Sequence, residues 1–137
     1  MLSFDLESNL LEPVANYQRR KTFRRQYDEL PFYEYRIDLF GFSQKLGSTV
    51  AVELKLSKWK RAFEQASIYQ LCADFVYIAL PSINIAKVDI SLLQENGIGL
   101  ISVFETGRCR QIIEPLPSPV VRPHYRDHYI DLLMGTE

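Results

Sequence analysis

Two cysteines, two histidines, six glycines, one tryptophan and a net charge of −1 leave this 137-residue chain without the material of many recognisable protein classes. Cys72 and Cys109 are too few for a disulfide framework, and they read as free, mostly buried thiols of a reducing cytoplasm. No apolar run approaches the ~20 residues of a membrane span. Residues 1–10 carry Asp5 and Glu7 and no long apolar stretch, which argues against a signal peptide. The near-zero charge sets up no global field that would draw the protein onto nucleic acid. His124 and His128 are four apart, with Asp127 and Asp131 close by, but no full ligand set completes a zinc site. Gly97-Ile98-Gly99 precedes a strand, whereas phosphate-cradling glycines follow a strand and open a helix, so it reads as a turn. No Ser-His-Asp or Cys-His pattern has supporting context, and there are no repeats or low-complexity segments.

The hydrophobic fraction is 47% and the charged fraction 24%, as expected of one soluble globular domain. A chain of this size buries roughly 68–70% of its unfolded surface, enough for a core without staples. The charge is uneven. Arg19, Arg20, Lys21, Arg24 and Arg25 form one basic cluster, and Lys55, Lys58, Lys60 and Arg61 form another. Such patches serve a phosphate ligand together only if they share a face.

Read in order, Ser3 can cap a helix from Phe4, with a stripe of Leu6, Leu10, Val14 and Tyr17; Pro13 kinks it or divides it. Phe32 to Phe42 alternates as a strand, with Glu34, Arg36, Asp38 and Phe40 on one face and Tyr33, Tyr35, Ile37 and Leu39 on the other. A polar turn between Gly41 and Gly47 leads into a second strand, Thr49 to Leu56. Ser57 is placed to cap a helix from Trp59 to Cys72. Phe75 to Leu80 reads as a central strand covered on both faces. Ile85 to Glu95 reads as a helix stopped at Asn96-Gly97. Ile98 to Phe104 and Cys109 to Ile113 read as strands, and Pro115 to Pro123 as an extended segment before a terminal helix or an arm on a partner. The implied fold class is α/β, a mixed central sheet between helical layers. The expected division is a domain over 1–114 and a Pro-rich C-terminal tail or arm over 115–137.

The chemistry gathers at the end of the Thr49–Leu56 strand. Glu53 and Lys55 project on the same side, because side chains alternate along a strand. Fourteen residues lie between Asp38 and Glu53, enough for a hairpin that brings both carboxylates to one point with the lysine. Two carboxylates and an ammonium suit a divalent cation and an activated water. Chance gives roughly 0.4 Glu-x-Lys matches in this composition, so context must carry the signal. Glu34 shares the face of Asp38, but at 3.4 Å per residue it lies about 13–14 Å away, too far to share an ion. On the next helix Gln65 and Tyr69 are four apart and so share a face, which Ala62 and Ala66 keep low enough to approach the sheet.

Arg36-Ile37-Asp38-Leu39-Phe40-Gly41, Val50-Ala51-Val52-Glu53-Leu54-Lys55 and Glu64-Gln65-Ala66-Ser67-Ile68-Tyr69 together resemble the PD-(D/E)XK nuclease superfamily, which includes restriction endonucleases, junction resolvases and repair nucleases. The last stretch looks like its QxxxY element. The resemblance runs from about Glu7 to Phe104, and its specificity lies in the order and spacing of short, degenerate motifs. Ile37 stands where many members have proline. The resemblance implies a restriction-endonuclease-like three-layer core and Mg²⁺-dependent hydrolysis of DNA phosphodiester bonds, with Mn²⁺ as a substitute. It implies that Asp38, Glu53 and the Leu54 carbonyl bind the cation, and that Lys55 orients or deprotonates the attacking water. Glu7 would be the acid of the first helix, with Glu12 as its rival. Gln65 and Tyr69 would support the site, and Lys58, Lys60 and Arg61 would touch phosphates. The weak net charge points to a homodimer or a recruiting protein partner. The alternatives are a catalytically silent module of the same fold, for nucleic-acid binding or assembly, and a generic α/β binding domain with an accidental Glu-x-Lys.

Overall fold

Six strands lie side by side in sequence order in one mixed sheet: β1 (Arg25–Phe32), β2 (Tyr35–Ser43), β3 (Ser48–Leu54), β4 (Phe75–Pro81), β5 (Gly99–Val103) and β6 (Cys109–Ile113). This is a computed structural model, and it describes residues 4–135. Both ends of the sheet are antiparallel, β1–β2–β3 and β5–β6, while β3, β4 and β5 run parallel. Parallel neighbours need crossovers, and these carry α2 (Trp59–Tyr69) and α3 (Ile90–Glu95). One face of the sheet packs on α2, α3 and α4 (Pro123–Met134) through Phe40, Ala51, Ile78, Leu100, Leu93, Tyr129 and Leu133. The other packs on α1 (Leu11–Arg20) through Leu39, Val50, Val52, Leu54, Ala79 and Ile101. The fold is therefore a three-layer α/β core with a mixed central sheet.

Small residues set the spacing of the α2 layer. Ala62 and Ala66 on α2 and Ala51 on β3 are fully buried, which lets the helix lie close over the strand. Pro13 falls in the first turn of α1, where its missing N–H is not needed, and a 3₁₀ turn (Glu7–Leu10) precedes that helix. Leu10 and Val14 are buried as expected, but Leu6 is exposed, and Gln18 is the fully buried residue where Tyr17 is only partly covered. Ser3, expected as a cap, lies outside the described residues.

Several elements differ from the sequence-based expectation. The Phe32–Phe42 segment is not one strand: Phe32 ends β1, Tyr33 and Glu34 form the turn, and β2 begins at Tyr35. Alternation also breaks at Asp38. Ile37 and Phe40 both belong to the α2/α4 core, whereas Leu39 belongs to the α1 core. Lys58 rather than Ser57 occupies the cap position of α2, and no side chain caps it. The expected Ile85–Glu95 helix is a 3₁₀ segment (Ser82–Lys87) followed by α3, because Asp89 caps the latter by accepting the Leu92 N–H at 3.1 Å.

The segment expected as a tail or arm lies against the body of the chain. Leu116 N–H donates to Gly97 O, Ser118 N–H to Asp74 O and Arg122 N–H to Leu71 O. Asp74 accepts from Arg126 Nε with both carboxylate oxygens and from Thr49 N–H and Oγ1, which stitches α4 to the start of β3. No helix among the described residues is long and apolar enough to cross a membrane.

Candidate active site

The splay between β2 and β3 builds the site. Their pairing is regular from Ser43↔Ser48 to Leu39↔Val52, and the next position places Asp38 beside Glu53. There the ladder is completed by a side chain: the Leu54 N–H donates to Asp38 Oδ2 at 2.8 Å. Beyond it, the Arg36 carbonyl accepts a hydrogen bond from the Tyr69 hydroxyl at 3.0 Å. The same hydroxyl lies 3.0 Å from Glu53 Oε1. Lys55 is held in line by its own N–H, which donates to Ala79 O on β4. Its ammonium lies 3.3 Å from Glu53 Oε2 and 3.7 Å from Glu7 Oε1.

Asp38, Glu53, Lys55, Tyr69 and Glu7 thus come together at the C-terminal end of β3. Between the two acids of the first helical segment, the one that reaches Lys55 is Glu7. Glu12 instead lines cavities of about 330 and 540 Å³ along α1. Gln65 sits one turn before Tyr69 on α2, and its Oε1 is shielded from solvent and accepts no hydrogen bond. Lys58, Lys60 and Arg61 are exposed at the start of α2, immediately after Lys55. The first basic cluster does not join them: Arg25 pairs with Phe42, which in turn pairs with Thr49, so it lies at the opposite end of the sheet. Arg36, two residues before Asp38, is a further exposed cation at this end. Sequence reasoning places it within a motif but gives it no role, although its spacing from Asp38 is the available signal.

The electrostatics are those of two crowded carboxyls. Burial first, and then the Asp38 charge, push the Glu53 carboxyl up to about 8, against the pull of Lys55 and the Tyr69 hydroxyl. Burial also raises Asp38, although the Leu54 N–H, a hydrogen bond with Glu53 and the Lys55 charge oppose it. The Tyr69 phenol is pushed upward by burial and by the Glu53 charge, so it stays a donor. Burial and mutual repulsion thus both favour a proton on the pair over a second negative charge. Among the described residues, no group of three or more His, Cys, Asp or Glu side chains is arranged as an ion site. The donors that can converge are two carboxylates and the Leu54 carbonyl. Such a set fits a hard cation that keeps water and phosphate as its other ligands. Burial is the main cause of both upward shifts, and the neighbouring carboxylate adds to that of Glu53.

No protein-family model matches the chain, and no curated protein matches it. Among solved structures, it is similar to the SPO1766 protein of unknown function from Silicibacter pomeroyi, with a TM-score of 0.71 and 20% sequence identity over 92% of this chain and 82% of that one. The likeness establishes the fold.

Proposed function

We propose that this chain is a divalent-metal-dependent nuclease that hydrolyses DNA phosphodiester bonds, with endonuclease action favoured, in the manner of the PD-(D/E)XK superfamily that its motifs resemble. The observation that carries the proposal is the meeting of Asp38 and Glu53, both with raised proton affinity, beside the Lys55 ammonium. Asp38, Glu53 and the Leu54 carbonyl would hold Mg²⁺, or Mn²⁺ in its place, and that ion would acidify water and screen the scissile phosphate.

The chain's own groups supply the rest. Lys55 Nζ, with its side chain only 14% exposed, is placed to orient the attacking water and to neutralise charge gathering on the phosphoryl oxygens. Glu7 restrains that ammonium from the other side. Tyr69 fixes the rotamer of Glu53 by hydrogen bonding, and Asp38 is fixed by the Leu54 N–H. Gln65 offers an unused acceptor along the same face of α2. Lys58, Lys60 and Arg61 would position the backbone through phosphate contacts, which carry no sequence information. With a net charge of only −1, these local cations act best in a homodimer or beside a recruiting protein.

The test is nicking of supercoiled plasmid in Mg²⁺ or Mn²⁺. Glu53→Ala and Lys55→Ala should each lose cleavage by about 10²-fold or more while keeping the fold and DNA binding. Equal activity in those variants overturns the assignment. DNA binding without cleavage by the unaltered protein would point instead to a catalytically silent module.

A further inference from the structure

Lys21, at the end of α1, carries a half-buried ammonium that the Asp38–Glu53 site does not use. Its Nζ donates to the Tyr77 hydroxyl at 3.0 Å and to Gln111 Oε1 at 2.9 Å, and the Tyr77 hydroxyl donates to the same Gln111 oxygen at 2.6 Å. The rings of Tyr17 and Tyr77 lie 5.3 and 5.4 Å from it. Two of its three N–H groups thus meet neutral oxygens. Among the described residues, no carboxylate forms an ion pair with it. Burial lowers its proton affinity, and the charge of Glu114, nearby but not paired with it, opposes that. A half-buried cation without a counter-ion favours the arrival of an anion.

Lys21, Tyr77, Gln111 and Glu114 all line one cavity of about 180 Å³ on the α1 side of the sheet. That is small beside the ~300–1,000 Å³ of common ligand pockets, so it admits only a small molecule. Phe23, Phe75 and Pro115 give it an apolar wall, and Leu46, 56% exposed, stands at its rim. The wall is closely packed from behind. A Cβ at Gly99 would lie 2.6 Å from the Tyr77 ring and 2.9 Å from Pro115, so both rest directly on the glycine of β5.

We propose that this cavity binds a free α-amino acid with an apolar side chain, its carboxylate on the remaining Lys21 N–H, its ammonium on Glu114 and its side chain against Phe23, Phe75 and Leu46. Charge complementarity selects this class. A plain carboxylic acid would meet the like charge of Glu114, and a plain amine that of Lys21, whereas a zwitterion satisfies both. An apolar side chain also covers the exposed Leu46 and the cavity wall, which removes apolar surface from water. A bound carboxylate would give Lys21 the charged acceptor it lacks, a stronger bond than those to Tyr77 and Gln111. None of these residues belongs to the proposed nuclease site, so the inference stands or falls separately from it.

The test is a two-dimensional NMR titration of the full chain with L-leucine, and with 4-methylpentanoate and isoamylamine, which lack its ammonium and its carboxylate respectively. L-leucine should shift the amides of Leu46, Phe75, Gln111 and Glu114 and should bind more tightly than either analogue. Lys21→Met keeps the aliphatic stem and should weaken L-leucine binding roughly 10- to 150-fold, the value of a hydrogen bond to a charged group. Glu114 is exposed, so Glu114→Gln leaves the fold intact and decides the matter if Lys21→Met fails to fold. It should weaken L-leucine roughly 2- to 5-fold, as for an exposed ion pair, and should bind 4-methylpentanoate at least as well as the unaltered protein does. Absence of shifts at these amides with L-leucine at tens of millimolar overturns the site. Undiminished binding in a folded Lys21→Met, unchanged L-leucine affinity in Glu114→Gln, or equal affinity of the unaltered protein for L-leucine and 4-methylpentanoate overturns it as well.

Discussion

Tyr69 places its single hydroxyl between Glu53 and the Arg36 carbonyl. The phenol oxygen lies 3.0 Å from Glu53 Oε1 and 3.0 Å from the Arg36 carbonyl, but a hydroxyl carries a single hydrogen. When Glu53 is protonated, it can donate to Tyr69 and leave the phenolic hydrogen to Arg36. When Glu53 ionises, the hydrogen is drawn to the carboxylate and the Arg36 carbonyl loses its partner. The splay of β2 from β3 is therefore coupled to the charge of the site.

That coupling makes Tyr69→Phe informative in two ways. Loss of the hydroxyl strands the Arg36 carbonyl and should cost about 1–3 kcal/mol, read by urea unfolding. It also removes a bond that favours ionised Glu53, so the Glu53 titration should move further upward. The acid limb of the pH–rate profile should shift to higher pH in step.

The raised Glu53 carboxyl has a consequence for the metal-free protein. Its folded value of about 8 exceeds the ordinary glutamate value of about 4.3, so between them the native state binds more protons than the unfolded one. Stability from this group is complete below about pH 4 and is lost as pH rises through about 8. Thermal unfolding in EDTA should show a decline over that window. Glu53→Gln should flatten the decline, unfold at higher temperature above pH 8 and lose cleavage.

Lys58, Lys60 and Arg61 lie on the open side of α2 and are expected to bind phosphates. Reversing each to Glu should weaken DNA binding to a similar degree for every sequence and lower the salt slope by about 1 for each cation removed. Anisotropy titrations across a salt series measure both. A loss confined to one sequence would mean that these residues read bases.

Asp74 tests the structural role of the C-terminal segment. Its carboxylate joins Arg126 to Thr49, with the side chains about one-fifth exposed. Asp74→Ala should cost roughly 2–3 kcal/mol, since it leaves the Thr49 N–H and the Arg126 Nε–H without their acceptor. Cleavage per folded molecule should be unchanged, because α4 touches the site's face without supplying a ligand.

What the sequence disclosed follows the strength of local patterns. The apolar runs of β4 and β5 and the limits of β6 were legible, as were the common side of Glu53 and Lys55 and the common face of Gln65 and Tyr69. β1 was not, because it is an edge strand in which only Leu30 and Phe32 are buried, and Pro31 argues against a strand without saying that it lies at an edge. The break of alternation at Asp38 was hidden, since a carboxylate that completes a backbone ladder leaves no mark in hydrophobic periodicity. The place of α4 was open for a similar reason: its buried residues are Tyr129 and Leu133, too few for a clear stripe. Glu7 and Glu12 could not be separated until the 3₁₀ turn fixed the register.

The most direct measurement is Mn²⁺ binding followed by electron paramagnetic resonance at neutral pH, with proton release monitored alongside. Asp38 and Glu53 together should hold an ion per chain, expelling the proton kept by Glu53, and affinity should rise as pH approaches 8. The Asp38→Asn, Glu53→Gln double variant should retain its fold and lose the bound ion. Mn²⁺ binding of equal strength in that variant, or none in the unaltered protein at millimolar concentrations, would contradict the account.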